Sequence, residues 1–369
     1  MLLKTFGGSF AITAAGLVLA FLYGGTLGLA VVAVLAVLEI SLSFDNAVVN
    51  AGVLGRMSRK WQRLFLTVGI LVAVVGMRLL FPVVVVCVTA KLSPGEAYRL
   101  AMAGGDIHTP GTYASVLHEA HPAIAAFGGV FLLMLFLNYI FEERELTWLS
   151  WLERPLARIG RLKQVSVVVA AGALLLAADF LAPAGKPVSV LVSGALGLIT
   201  YLLVSGLSEL FDPDQPVAGD GGGRRGGAVV VAGKAAFALF LYLEVMDASF
   251  SFDGVIGAFA ITSDPVVIAI GLGIGAAYIR AMTVFLVRNG TLNEYAYLEH
   301  GAQWAIGALA VLLLCTIRYE VPEIVTGLVG VGFIGTALVS SVVRNRRLSR
   351  GKPPATDLAA GSPRLTSAH

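Results

Sequence analysis

The sequence predicts an all-α polytopic membrane protein of about ten transmembrane helices built on an inverted-topology repeat. Three observations predict it: an apolar, charge-poor composition, a series of apolar runs long enough to cross a bilayer, and one acidic motif that occurs twice inside those runs. Of the 369 residues, 57 % are hydrophobic and 13 % are charged, and mean hydropathy is +0.85. A water-soluble fold carries about a quarter charged residues, so this chain has too little polar surface to wet two globular domains. The same numbers exclude disorder. A net charge of +3 spread over short loops argues against a nucleic-acid partner. Cys87 and Cys315 each sit inside an apolar run and read as packed thiols, not as a disulfide framework.

A hydrocarbon core about 30 Å thick takes about 20 apolar helical residues. Such runs fall at 8–25, 28–54, 64–89, 122–141, 165–182, 187–207, 228–261, 265–287, 301–317 and 322–343. The run at 228–261 is long enough to bend or break. Barrel strands would alternate over segments of about ten residues, and these runs do not. Lys4 ahead of an apolar stretch has the outline of a signal peptide. No small-x-small cleavage site with a polar start follows it, so the segment reads as a retained first helix.

Basic residues set the orientation. The 56–63 link carries Arg56, Arg59, Lys60 and Arg63; the 142–164 link carries Arg144, Arg154, Arg158, Arg161 and Lys163; the tail carries Arg344, Arg346, Arg347, Arg350 and Lys352. With ten alternating helices all three fall on one side, the cytoplasmic one, together with both termini. The protein is then a multi-pass protein of the cell membrane, with the lipid bilayer as its first partner. The organisation follows: a first repeat region at 1–89; an outer link, extra helices and a cytoplasmic link at 90–227; a second repeat region at 228–343; and a basic, disordered tail at 344–369. Within 208–227 the run GGGRRGG lacks phosphate-cradle spacing and reads as a linker.

The repeated motif is Glu39-Ile-Ser-Leu-Ser-Phe-Asp45-Asn46 and Asp247-Ala-Ser-Phe-Ser-Phe-Asp253-Gly254. Carboxylates are costly inside a bilayer, and intramembrane acids mark ion and substrate pathways. The two copies lie on helices of opposite direction, and in transporters of that design the site is at the midplane between the repeats. Each copy is followed by an intramembrane arginine, Arg78 or Arg280, a charge partner for the acids when no cation is bound. At about 100° per residue Glu39, Ser43 and Asn46 share a helix face, as do Glu244, Asp247 and Ser251, while Asp45 and Asp253 fall off it. A locally unwound segment would bring all the acids together, with Gly254 and Gly257 easing the break in the second copy. The candidate metal-binding residues are therefore Glu39, Asp45, Asn46, Glu244, Asp247 and Asp253. They offer hard oxygen donors with no histidine or cysteine, a set that suits Mn²⁺, Ca²⁺ or Mg²⁺. The rival reading is structural glue, in which Arg78 and Arg280 simply neutralise the acids.

These residues resemble the TerC family of integral membrane proteins, in a diverged branch. Glu39, Leu42, Ser43, Asp45 and Asn46 match its first motif; Glu244, Asp247, Phe250 and Asp253, then Phe259, Ala260, Thr262, Asp264 and Pro265, match its second; Arg280-Ala281-Met282 resembles the arginine that follows. The likeness runs through 28–89 and 240–343. Gly254 and Ile256 stand where the family has Ser and Pro, which removes one side-chain ligand. The resemblance implies cation export with manganese as cargo, and an association with tellurium resistance.

Asp106, His108, His118, Glu119 and His121 in the 90–121 link read as a solvated loop more readily than as an outer metal patch. HEAH is not HExxH. Glu299 and His300 read as link residues facing water, and 142–163 as a surface helix at the headgroups anchored by Trp148 and Trp151. No nucleophile–histidine–acid set lies in the spans. The expectation is thus a non-enzyme with no tightly bound cofactor, which exports a divalent cation, Mn²⁺ first, on an ion gradient, since no ATP-binding motif is present. The alternative is a non-transporting scaffold whose 142–164 and 208–227 links dock soluble stress-response proteins. Inverted repeats also host organic-solute exporters, a third reading.

Overall fold

The computed structural model describes residues 2–105, 107–144, 146–162, 164–210, 233–262 and 264–350. Helix is the only regular structure among them. The helices are α1 (Leu2–Leu42), α2 (Phe44–Leu54), α3 (Arg59–Leu64), α4 (Phe81–Thr89), α5 (Pro94–Ala103), α6 (Tyr113–Phe141) and α7 (Ser150–Ile159). After them come α8 (Val165–Leu176), α9 (Pro187–Leu210), α10 (Gly233–Ile261), α11 (Pro265–Arg288), α12 (Thr291–Glu294), α13 (Leu298–Cys315) and α14 (Glu323–Arg350). Two π-helical segments, Phe65–Gly69 and Val72–Leu80, join α3 to α4, and a third, Ala177–Leu181, extends α8. Among the described residues seven helices are long and apolar enough to cross a membrane: Thr5–Ser41, Arg59–Val88, Tyr113–Phe141, Pro187–Leu207, Pro265–Arg288, Leu298–Cys315 and Ile324–Leu348. This is the make-up of a polytopic membrane protein, and large apolar side chains such as Leu22, Leu27 and Val88 point outward, more than 70 % exposed.

A straight helix as long as α1 would reach about 60 Å, twice the hydrocarbon thickness. It does not run straight. Gly25 adopts φ 62, ψ −150, a conformation essentially reserved for glycine. The neighbours on α11 show what that corner does. Ser9 Oγ donates to the Ala277 carbonyl at 2.9 Å, Gly16 faces Ile274, and Ala20 packs with Val267, so the first arm runs against α11. Val32 and Leu35 then face Gly271, and Ala36 and Glu39 face Gly275, so the second arm runs with it. The apolar run at 8–25 and the part of the run at 28–54 that precedes Ser43 are thus the two arms of α1, which fold back on each other as a hairpin at Gly25.

α6 and α11 lie at the centre of the bundle. α11 takes that place because its inner face is small: Gly271, Gly273, Gly275, Ala276 and Ala277 let Leu35, Val74 and Glu39 approach its backbone. α9 reaches α6 in the same way, with Gly197 against the Phe127 backbone.

The polar links sort to two ends. At one end Lys186 Nζ donates to the Glu119 carbonyl at 2.7 Å. At the other, Arg144 meets Glu299 at 3.8 Å and Asn345 Nδ2 donates to the Glu294 carbonyl at 2.8 Å. Several loop expectations are corrected. His118, Glu119 and His121 belong to the first turns of α6, because Thr112 caps it. His300 does not face water: it is buried on α13 beside Glu153. α14 continues through Arg350, so the basic residues 344–350 are helical, while 351–369, the GGGRRGG run and Asp106 lie outside the described residues.

Glu153 ties α7 to the bundle. Its carboxylate accepts from the Trp148 and Leu149 backbone N–H groups at 3.0 and 3.2 Å and from Trp304 Nε1 at 3.1 Å. Burial opposes its ionisation, but these bonds and His300 win and hold the carboxyl down at about 2, against an ordinary 4.5. A depressed carboxyl adds stability that is complete above its unfolded value and lost on acidification. The thermal midpoint in detergent should therefore exceed that of Glu153→Gln by a constant margin from pH 7 to pH 5. The margin should shrink between pH 4.5 and about 2. Gly25→Ala should destabilise the fold by about 1–3 kcal/mol and lower the midpoint by several degrees, with no other change at neutral pH.

Candidate functional site

The two acidic motifs meet inside the bundle. α1 ends at Leu42 and α2 begins at Phe44, with Ser43 (φ −101, ψ 22) as the joint in the first copy. The unwinding expected in the second copy does not occur, and α10 is helical through Asp253 and Gly254. Gly254 serves a different purpose. A methyl group there would stand 3.2 Å from Glu39 Oε2, so its missing side chain leaves room for the carboxylate of the other motif. Glu39 lies by residue 254 and Asn46 by residue 247, so the two motif helices pass in opposite directions.

In the first half of the site Arg78 Nη2 donates to Glu39 Oε1 at 2.5 Å. Arg78 sits in the π-helical segment Val72–Leu80, and its Nη1 donates to the carbonyl of Ala73, five residues back, at 2.9 Å. Such segments recur at functional sites, because the extra residue redirects side chains.

In the second half Arg280 binds Glu244 with both ends of its fork: Nη1 donates to Oε1 at 3.0 Å and Nη2 to Oε2 at 2.9 Å. Nη2 also donates to Asp247 Oδ2 at 3.0 Å. One turn of α10 separates the two acids, so both reach one guanidinium. The Arg280 fork lies 4.2 Å from the Phe65 ring centroid, and Gly69 leaves space for it and for Glu244.

The halves are joined by amides. Asn46 Nδ2 donates to Asp247 Oδ1 at 2.8 Å, and Asn50 Nδ2 donates to Asn46 Oδ1 at 2.8 Å. Glu39, Asn46, Asn50, Arg78, Glu244, Asp247 and Arg280 are all buried, Arg280 to within 1 % exposure. Asn50, Phe65 and Gly69 were not foreseen from sequence. The available signal for Asn50 was its place one turn after Asn46 in an apolar helix. Phe65 and Gly69 carried none. The arginine helices also pass antiparallel: Phe65 meets Arg280, and Val74 meets Gly273.

Of the six expected ligands, Glu39, Asn46, Glu244 and Asp247 are brought together with both arginines. The side chains of Asp45 and Asp253 lie outside the described residues, although their backbones belong to α2 and α10. Among the described residues no three Asp, Glu, His or Cys side chains form a group that could hold a metal ion. The three described acids are satisfied by the arginines. Arg78 Nε, Arg280 Nε and Asn50 Oδ1 are buried without a hydrogen-bond partner among those residues, so the network is not closed.

A family described as "Protein of unknown function (DUF475)" matches residues 44–348. No curated protein and no solved structure matches the chain.

Removing one partner of a buried ion pair leaves an uncompensated charge and costs about 3–5 kcal/mol. Arg78→Met should therefore destabilise the protein by that amount, measured by unfolding in mixed detergent. Glu39→Gln/Arg78→Met should recover most of the loss. A double variant no better than the single one would show that the pair is not what Arg78 contributes.

Proposed function

We propose, from the premise that the chain belongs to the DUF475 family, that it is a divalent-cation transporter of the cell membrane. It exports manganese by alternating access at a midplane carboxylate site. The family description brings no activity with it. The observation that carries the reading is the buried charge count. Glu39, Glu244 and Asp247 outnumber Arg78 and Arg280 in one network, and the motifs add Asp45 and Asp253. A buried surplus of carboxylate is costly unless a cation joins it.

In this reading ten segments cross the membrane. The two arms of α1 count separately, the second continuing into α2, and α8 with its π-helical extension and α10 join the remaining six spans. Both termini then lie in the cytoplasm. The opposed courses of the motif helices and of the arginine helices support two repeats of inverted topology. Glu39, Asp45, Asn46, Asp247 and Asp253, with Glu244 beside them, hold the ion through oxygen. Arg78 and Arg280 take the acids back when it leaves, so the empty site can change its facing without bare charge in lipid. The same motif residues carry the likeness to TerC proteins, which favours manganese as cargo.

The complete pairing of the described acids favours a second reading, a non-transporting scaffold in which they are structural and the polar links dock soluble stress-response proteins. One experiment separates the two. Proteoliposomes containing the purified protein are loaded with Mn²⁺, Ca²⁺, Mg²⁺ or Zn²⁺, and efflux is followed with an indicator dye. Selective Mn²⁺ release, reduced to the protein-free rate by Asp45→Asn and by Asp253→Asn with folding unchanged, is the expected outcome. Equal indifference to all four ions removes the transporter reading.

A further inference from the structure

The interfacial helix α7 carries a feature that no transport step uses. A cavity of about 260 Å³ opens between α7, the end of α6 and the start of α13. Arg144, Arg154, Arg158 and Arg161 line it, as do Glu142, Glu143 and Glu153. The acids are already engaged. Glu142 accepts from Arg144 at 2.6 Å, Glu143 from Arg161 at 2.8 Å, and Glu153 from backbone amides and Trp304. Arg144 also stacks 3.9 Å over the Tyr139 ring. Among the described residues Arg154 and Arg158 meet no acid. They stand four apart on α7, one turn of the same face, so two guanidinium forks flank one opening. A pair of forks of this kind matches a phosphate diester.

The same face identifies the source of the phosphate. At about 100° per residue Trp151, Arg154, Pro155, Arg158 and Ile159 share one side of α7. Trp151 is 75 % exposed, Ile159 46 % and the following Leu162 65 %. Two arginines that meet no acid among the described residues, next to bare apolar side chains at the ends of two membrane-crossing helices, form an interfacial helix made for lipid. A free phosphate ion would leave Trp151, Ile159 and Leu162 in water with nothing to cover them.

We propose that α7 and this cavity bind the phosphate headgroup of an anionic phospholipid, with Arg154 and Arg158 on the phosphate and Trp151, Ile159 and Leu162 against the acyl chains. The proposal needs a membrane but no particular cargo, so it stands or falls apart from the transport reading. Basic pockets between membrane helices take anionic headgroups by this chemistry.

The test uses the full chain in phosphatidylcholine nanodiscs doped with brominated phosphatidylglycerol or, at equal mole fraction, brominated phosphatidylcholine. Bromine quenches a tryptophan that it touches. Brominated phosphatidylglycerol should quench the wild type more strongly, and Trp151→Phe should remove the excess. Arg154→Gln/Arg158→Gln should need about thirty-fold more phosphatidylglycerol for the same excess, since each arginine at the surface contributes about fivefold. Arg59→Gln/Lys60→Gln, which removes charge from another link, should leave it intact. Equal quenching by the two lipids overturns the proposal, and so does an equal loss in the Arg59/Lys60 variant. Complete competition by inorganic phosphate also overturns it, because the site would then be one for the free ion. If the Arg154/Arg158 variant fails to fold, the comparison of wild type with Trp151→Phe decides alone.

Discussion

The bundle is organised around a buried guanidinium. Arg280 is 1 % exposed, so every part of its charge has to be met by protein. Glu244 meets it with two oxygens, Asp247 with one, and Phe65 with a ring face. These partners come from α10 and from the segment after α3, and Asn46 adds α2 by bonding to Asp247. One buried cation thus fixes the relative position of four stretches far apart in sequence. The apolar packing around it is weakly directional, because a lipid tail is as apolar as a leucine. The ionic network supplies the register that hydrophobic contact alone does not.

The counterpart at Arg78 is simpler, with one acid and one carbonyl of its own helix. The difference has a local cause. The backbone around Arg78 is π-helical, whereas α11 is regular and glycine-rich beside Arg280. Each glutamate packs over a glycine of the helix that bears the other arginine: Glu39 over Gly275, and Glu244 over Gly69. That exchange binds the two halves to each other. On the proposed reading it places both pairs on the wall of one chamber, where a shift of either half alters the carboxylates offered to a cation. A network whose Nε atoms have no partner among the described residues is easier to rearrange than a closed one.

Away from this centre a second polar cluster ties α7 to the bundle. Glu153 is drawn inward to serve the start of α7, the Trp304 indole and His300, which holds that short helix against the bundle. Trp151 is left on the opposite face of α7, and Arg154 and Arg158 lie between the two. The burial of His300 and the exposure of Trp151 are two sides of one arrangement.

Membrane character, the extent of most helices, and the place of Glu39, Arg78, Glu244, Asp247 and Arg280 inside apolar segments were legible in the sequence. Charge inside an apolar run is conspicuous, and a motif that occurs twice is more so. The helical wheel correctly put Glu244 and Asp247 on one face, because spacing along a regular helix is a local property. Three features were not legible. The corner at Gly25 is one glycine among many until the hairpin shows which φ it adopts. Gly254 was read as a place to break a helix, and it proves to be a place for another helix's carboxylate, a role set by a neighbour more than two hundred residues away. His300 was read as wet because links are wet, and it is dry because α7 folds over it. By itself the sequence determined which residues cannot face lipid unaided. Only the tertiary structure decided which partner relieves each of them, since a buried charge is indifferent to chain order and is governed by what stands within about 3 Å of it.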